Sequence, residues 1–310
     1  MKEFKNILFV SQELSNNSDS LEQALALSNR NNASLMGVII CPKLPESMNK
    51  YEEIYEKSLL DKLNSEIENC LTKSGQESKP AIPIKIASGD KPVVQVIKTV
   101  LTDGCDLLIK ETEPLDEGSK GFKALDMKLL RKSPCAVWLN RPSPKAHEKK
   151  RVAVAIDPTV KSPEEKQLAL RLLQTSRSIA DSCDSQLHVI SCWEYELEKY
   201  LRDHSWIQVD DERLNAEIES VRTYHREALD SLLLESKISG DIAVHHINGR
   251  ADDEIPLCVA KLEIDILTMG TIARTGIKGL IMGNTAENVL QSIQCSLVAL
   301  KPDGFESPIK

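Results

Sequence analysis

The chain has 310 residues, about twice the length of an ordinary compact domain, so length alone favours two domains. Apolar residues make up 41% and aromatic residues only 4%, which calls for cores of Leu, Ile, Val and Ala and excludes a disordered chain. The net charge of −8 is uneven: residues 1–145 hold 20 Lys and Arg against 20 Asp and Glu, and the remainder holds 19 against 27. An acidic second half repels phosphate backbones and anionic headgroups, so neither nucleic acid nor a membrane is an expected partner.

The start, Met1 to Asn6, leads into an apolar run at Ile7–Val10 that is too short for a signal-peptide core or a membrane span, which predicts a cytoplasmic protein. Alternating signals follow. A strand is expected near 6–11, an amphipathic helix over Ser18–Asn31, strands near 34–41 and 82–88 with a long helix at Tyr51–Thr72 between them, then strands near 106–110 and 135–140. Two prolines and a charge cluster in Arg141–Lys150 read as a linker. Beyond it, strands are expected near 151–156, 186–193, 241–247, 265–269 and 296–301, with helices over Gln167–Ala180 and Asp211–Glu235. Ser162, Pro163 and Glu165 form a helix-start signal. The eight cysteines are scattered with no C-x-x-C pair and read as buried free thiols of a reducing compartment.

The two halves repeat one another. Lys5–Val10 parallels Lys150–Ala155 at a separation of 145, whereas Cys105–Ile109 with Ile264–Thr268 and Ser133–Val137 with Ile293–Leu297 lie 159–160 apart. An insertion of about 15 residues is therefore expected in the second half, in the Trp193–Asp211 region. Each half reads β-α-β-α-β-α-β-α-β, which predicts two tandem open, mainly parallel five-stranded sheets with helices on both faces. The expected domains are 1–142 and 151–303, with a linker at 143–150 and a tail at 304–310.

Chemistry concentrates in Asp265–Leu290. A strand ends at Met269 and Gly270, Thr271 begins a loop containing Ala273, Arg274, Gly276 and Lys278, and a helix starts after Gly283 at Asn284 and Thr285. Glycines allow close backbone approach to an anion, a helix start offers free N–H groups, and the loop lies where open parallel sheets bind ligands. Asn284 is also a candidate N-cap, with Glu287 three residues on.

This stretch resembles the nucleotide-binding signature of the universal stress protein family, Gly-x-x-Gly-x9-Gly-Ser/Thr followed by Ala-Glu-x-Val-Leu, and the resemblance extends over residues 3–303. It implies an adenine-nucleotide alpha-hydrolase-like, Rossmann-related fold. It also implies ATP or another adenine nucleotide as ligand, with Mg entering only alongside a bound nucleotide. The positions carried over are Asp157 and Val189 for adenine and ribose, and Met269, Gly270, Thr271, Ala273, Arg274, Gly276, Gly283, Asn284 and Thr285 for the phosphate loop. Two of them depart from the family pattern: Ala273 stands at its second glycine and Asn284 at its Ser/Thr. A pseudo-two-fold packing through the last strands is expected, one chain forming an intramolecular pseudo-dimer, with a further homodimer left open.

In the first half Lys110 and Glu111 replace Met269 and Gly270, Gln12 replaces Asp157, and Glu113, Asp116 and Glu117 add negative charge, so that half reads as a degenerate site. Asp157 has a second reading as a turn-stabilising carboxylate. His188 and the His245–His246 dipeptide read as strand residues rather than metal ligands, Gly249–Arg250 as a turn, and helix 211–235 as a solvated face over a buried stripe. No catalytic residue is assigned. The expected function is a stress-response regulator binding a nucleotide-like small molecule in its second domain. Two alternatives stand beside it: a nucleotide hydrolase or transferase of low activity, and a ligand-free interaction scaffold.

Overall fold

The structure is a computed structural model and describes residues 4–12, 18–73, 82–116, 118–143, 145, 149–203, 209–271 and 282–310. These residues form two compact units, one built on residues up to 143 together with Ser296–Lys310, the other on residues 145–271 and Gly283–Cys295.

The first unit contains β1 (Asn6–Gln12), α1 (Ser18–Asn31), β2 (Ser34–Cys41), α2 (Glu52–Lys73), β3 (Ile84–Ser88), α3 (Pro92–Asp103), β4 (Leu107–Glu111), α4 (Ala124–Lys132) and β5 (Ala136–Asn140). The second contains β6 (Val152–Ala155), α5 (Pro163–Ser182), β7 (Leu187–Trp193), α6 (Glu198–Asp203), α7 (Asp211–Ser236), β8 (Ile242–Asn248), α8 (Ala251–Lys261), β9 (Ile266–Gly270) and α9 (Asn284–Ser292). The last strand, β10 (Ser296–Leu300), falls in the first unit. In that unit the strand order is β3-β2-β1-β4-β5-β10, parallel throughout except for the antiparallel β5–β10 pair. In the second the order is β9-β6-β7-β8, all parallel.

The α/β class and the strand positions agree with the sequence pattern, each half of the chain supplying five strands, β1–β5 and β6–β10, with β10 packed in the first unit against β5. The reason lies in β5. All five of its residues are buried, so its outer edge is an apolar, unpaired ladder that must be covered. The equally buried Ser-Leu-Val-Ala-Leu of β10 covers it, Val137 facing Ala299, Trp138 facing Val298 and Leu139 facing Leu297. Trp138 and Val298 are equivalent positions of the repeat, so these two strands are related by a local two-fold through that pair, as expected for the last strands. Beyond β10, Lys301 is buried with its amine donating to the Ser133 carbonyl and lying 4.1 Å from the centre of the Phe305 ring, and burial pushes it down to about 7.

Strands with apolar side chains on both faces need helices on both sides, and the core consists of those runs: Ile7–Val10, Leu107–Ile109, Val152–Ile156 and Leu297–Leu300 are all buried. All eight cysteines are free and only Cys192 is more than marginally exposed; burial pushes Cys135 and Cys192 up to about 12. No helix of the described residues is long and apolar enough to cross a membrane. The expected insertion contains α6, tied to α7 by Arg202, which donates to Asn215 at 2.8 Å.

Helix α5 begins at the expected signal. Ser162 Oγ accepts from the Glu165 amide at 3.2 Å, Pro163 occupies the first turn, and the Glu165 carboxylate accepts from the Lys161 amide at 2.7 Å. Ser162→Ala should therefore cost about 1 kcal/mol, read from urea unfolding.

Candidate functional site

Parallel strands bring their carboxyl ends to one edge, and in the second unit that edge holds a cavity of about 820 Å³. Its walls come from the turn after β6, the end of β7 with the chain beyond it, the turn after β8, one face of α7 and the first turn of α9. Asp157, Asn284 and Thr285 line it, as do Trp193, Glu194, Glu196, Tyr224, His225, Arg250, Asp252, Glu287 and Asn288.

Each wall has a local cause. Asp157 Oδ1 accepts from the Thr159 amide at 2.9 Å and from its hydroxyl at 2.6 Å, so the carboxylate stabilises the turn while it lines the cavity. After β8 the chain turns at Gly249, whose φ is 138° and where a Cβ would lie 2.8 Å from Glu254 Cγ; only glycine fits there. The turn presents Arg250, whose guanidinium grips both oxygens of Asp252 at 3.1 and 2.9 Å. Asn288 of α9 donates to the same carboxylate at 2.9 Å, bridging α8 to α9. The Arg250 and Asn288 donors hold the Asp252 carboxyl down at about 2.

The α9 start differs from the sequence reading. Its N-cap is Gly283, in extended conformation with no side chain to accept the first-turn amides, and Asn284 is already helical. Gly283 donates its N–H to the Thr271 carbonyl at 3.2 Å and accepts from Glu287 N–H at 2.9 Å. The cap falls one residue earlier because this backbone bond fixes Gly283 at the helix entry. Thr271 is buried, and its hydroxyl has no hydrogen-bond partner among the described residues. Thr271 and Gly283 do not line the cavity, whereas the side-chain-free first-turn amides that follow Gly283, beside Asn284 and Thr285, fit an anionic ligand group.

The remaining positions lie elsewhere. Val189 is fully buried in β7, Met269 is buried in β9, and Gly270 packs against Leu168 and Leu172 of α5. None of the three lines the cavity. Ala273, Arg274 and Gly276, with Lys278, lie outside the described residues.

The histidines form a structure that the sequence reading missed. His245 and His246 point to opposite faces of β8, and each meets another imidazole: His245 Nε2 lies 3.0 Å from His188 Nδ1, and His246 Nε2 lies 2.9 Å from His225 Nδ1. His246 is stacked between Trp193 and His225, with centroids 5.9 and 5.1 Å away. A signal was present in α7: Leu214, Val221, Leu229 and Leu232 mark a helical stripe, and His225 occupies it where an apolar residue is usual. No group of three or more His, Cys, Asp or Glu among the described residues is arranged to hold a metal ion.

The first unit shows what replaces the loop. Lys110 is fully buried, its ammonium 2.9 Å from Asp126 Oδ1 and donating to the Glu111 carbonyl at 2.7 Å, while Asp126 Oδ2 accepts from the Glu113 amide at 3.0 Å. Glu111 accepts from the Ser20 hydroxyl at 3.1 Å, and burial pushes its carboxyl up to about 6. An internal ion pair holds the segment after β4. Gln12 is half-buried at the end of β1, and Glu117 lies outside the described residues.

The sequence profile of the universal stress protein family matches residues 149–301. Universal stress protein E of Photorhabdus laumondii is 27% identical over all of this chain and 99% of its own length, and that of Escherichia coli K12 is 26% identical over 74% of this chain and 71% of its own. The chain belongs to the universal stress protein family. Its fold matches the crystal structure of a putative universal stress protein from Pseudomonas aeruginosa, with a TM-score of 0.72 and 23% identity over 98% of this chain and 95% of that one. A universal stress protein from Archaeoglobus fulgidus shares the fold at a TM-score of 0.63 and 17% identity, covering 96% of this chain and 98% of its own. The likeness to the Photorhabdus laumondii protein runs over the full length of this chain.

Two outcomes follow from this geometry. Asp126→Ala strands the Lys110 ammonium in the core and should destabilise by about 3–5 kcal/mol, whereas Lys110→Met with Asp126→Leu should cost far less; urea unfolding of both variants decides. Burial, the leading cause in each case, holds His188, His245 and His246 below the ordinary imidazole value. The unfolded chain then binds more protons than the folded one below about pH 6.5, so stability is full above that pH and is lost as pH falls through it. The urea midpoint should drop between about pH 7 and pH 5, and the drop should shrink in His188→Gln and in His246→Gln.

Proposed function

We propose that this protein is a stress-response regulator whose second unit binds an adenine-nucleotide-like ligand, its occupancy being the regulatory input. The observation that carries this reading is the cavity of about 820 Å³ at the carboxyl ends of β6, β7 and β8, closed on one side by the uncapped start of α9. Asn284, Thr285 and the first-turn amides would receive a phosphate, with Asp157 and the aromatic wall of Trp193 and Tyr224 disposed toward the rest of the ligand. A bound nucleotide would supply the negative charge that those amides lack. The described groups bind and orient; they include no set that assigns a reaction.

The charge of the lining refines the ligand. Asp157, Glu194, Glu196, Asp252 and Glu287 stand against Arg250, which is already engaged by Asp252. A lining of this sign favours a ligand with few phosphates.

Denaturing the purified protein and analysing what it releases tests the reading directly: an adenine nucleotide or nucleoside is expected, and its absence together with no binding of adenosine, AMP or ATP by calorimetry would sink it. Within the series AMP should bind about tenfold more tightly than ATP at low salt, and Glu194→Gln with Glu196→Gln should narrow that gap.

A further inference from the structure

β8 is the edge strand of the second unit, and none of its seven residues is fully buried. Beyond its ladder to β7, its side chains find partners on each face. On one face His245 meets His188 of β7; on the other His246 is clasped between Trp193 of β7 and His225 of α7. Trp193 and His225 both line the cavity, so His246 lies directly behind two of its walls. His225 is only 6% exposed and is flanked on α7 by Val221 and Tyr224, which also line the cavity.

A pair of imidazoles facing each other through ring nitrogens has a fixed proton capacity. When both rings are neutral, one N–H donates to the lone pair of the other. One added proton keeps an N–H between the nitrogens. A second places an N–H on each, so two like charges and two donors oppose each other at 2.9 Å and the contact must break. The surroundings resist that second proton: Arg222 and Arg226 of α7 face His246 with positive charge, opposed by Asp230 of the same helix. From β7 the facing group is the uncharged Trp193 indole, and around the cavity beyond it stand Asp157, Glu194, Asp252 and Arg250.

We propose that the His225–His246 pair is a proton-operated latch on the cavity: intact, it holds α7 against β8 and keeps the Trp193–Tyr224–His225 wall in place; doubly protonated, it releases α7 and lowers ligand affinity. This rests on the reading of the cavity as the ligand site. By linkage, a ligand that needs the intact wall favours the less protonated pair, so acidification expels the ligand and the ligand opposes protonation.

Adenosine is the probe, since it carries no phosphate to titrate. Calorimetry on the full chain should show adenosine binding about tenfold more weakly at about pH 5.5 than at pH 7.5. His246→Gln and His225→Phe should flatten that dependence, while His188→Gln, which breaks the pair on the opposite face, should retain it. Hydrogen exchange without ligand reads the latch separately: α7 amides around residues 218–229 should exchange faster in wild type at the lower pH, with a smaller change in His246→Gln. Imidazole NMR on the wild type, which needs no variant, should show the His225 and His246 rings titrating as a coupled pair. If adenosine fails to bind at every pH while the exchange response appears, the ligand-site reading fails and the latch stands. If α7 exchange is the same at both pH values, if the two rings titrate independently, or if a folded His246→Gln responds like wild type, the latch is wrong.

Discussion

Everything functional in the second unit follows from four strands running in one direction. A parallel strand must be followed by a crossover, so each βα turn is delivered to the same edge of the sheet, and the side chains it carries arrive together whatever their distance in sequence. Asp157, Trp193, Arg250 and Asn284 come from four different turns and meet around one cavity for that reason. The amides at the start of α9 join them because the chain leaving β9 is recaptured where Gly283 bonds to Thr271. The site is a property of topology before it is a property of any residue.

The repeat had the same topology available twice, and the first unit uses it differently. Where the second unit has Met269 and Gly270, the first has Lys110 and Glu111, and a lysine at that inward position cannot remain buried without a partner. Asp126 of α4 supplies it and in turn anchors the Glu113 amide, so the segment after β4 is held by protein charge. The first unit also holds β10 against β5, and because these are equivalent strands of the repeat, their antiparallel pairing keeps the symmetry of the sequence. An apolar edge has one physical requirement, to be paired, and the nearest strand of suitable pattern meets it.

Element type was legible because it is carried by periodicity, and periodicity survives divergence. The helix start at Ser162 was legible because capping is local chemistry. The β10 pairing could be anticipated because both strands are apolar on nearly every residue, but its assignment to the first unit could not, since the repeat offered equal halves. The α9 cap was misplaced by one residue: Asn284 is the better capping side chain, yet a backbone bond from Gly283 decided the helix entry. The histidine pairs were invisible for a different reason. Alternation shows that His245 and His246 face opposite ways, but their partners at residues 188 and 225 are fixed by strand register and helix packing, which no local pattern encodes.

Those pairs also bear on where the second unit is weak. A core strand is held by apolar contacts that pH does not touch; β8, half-exposed along its length, has few of them. Its side chains are tied on both faces by hydrogen bonds between titratable rings, and the helix that one of those bonds secures forms a wall of the cavity. Segments with little apolar burial open first and at the lowest free energy. The wall of the cavity behind which His246 lies therefore combines the buried leucines of α7 with a strand that has few apolar contacts of its own, and on that strand titratable rings take the place of a core.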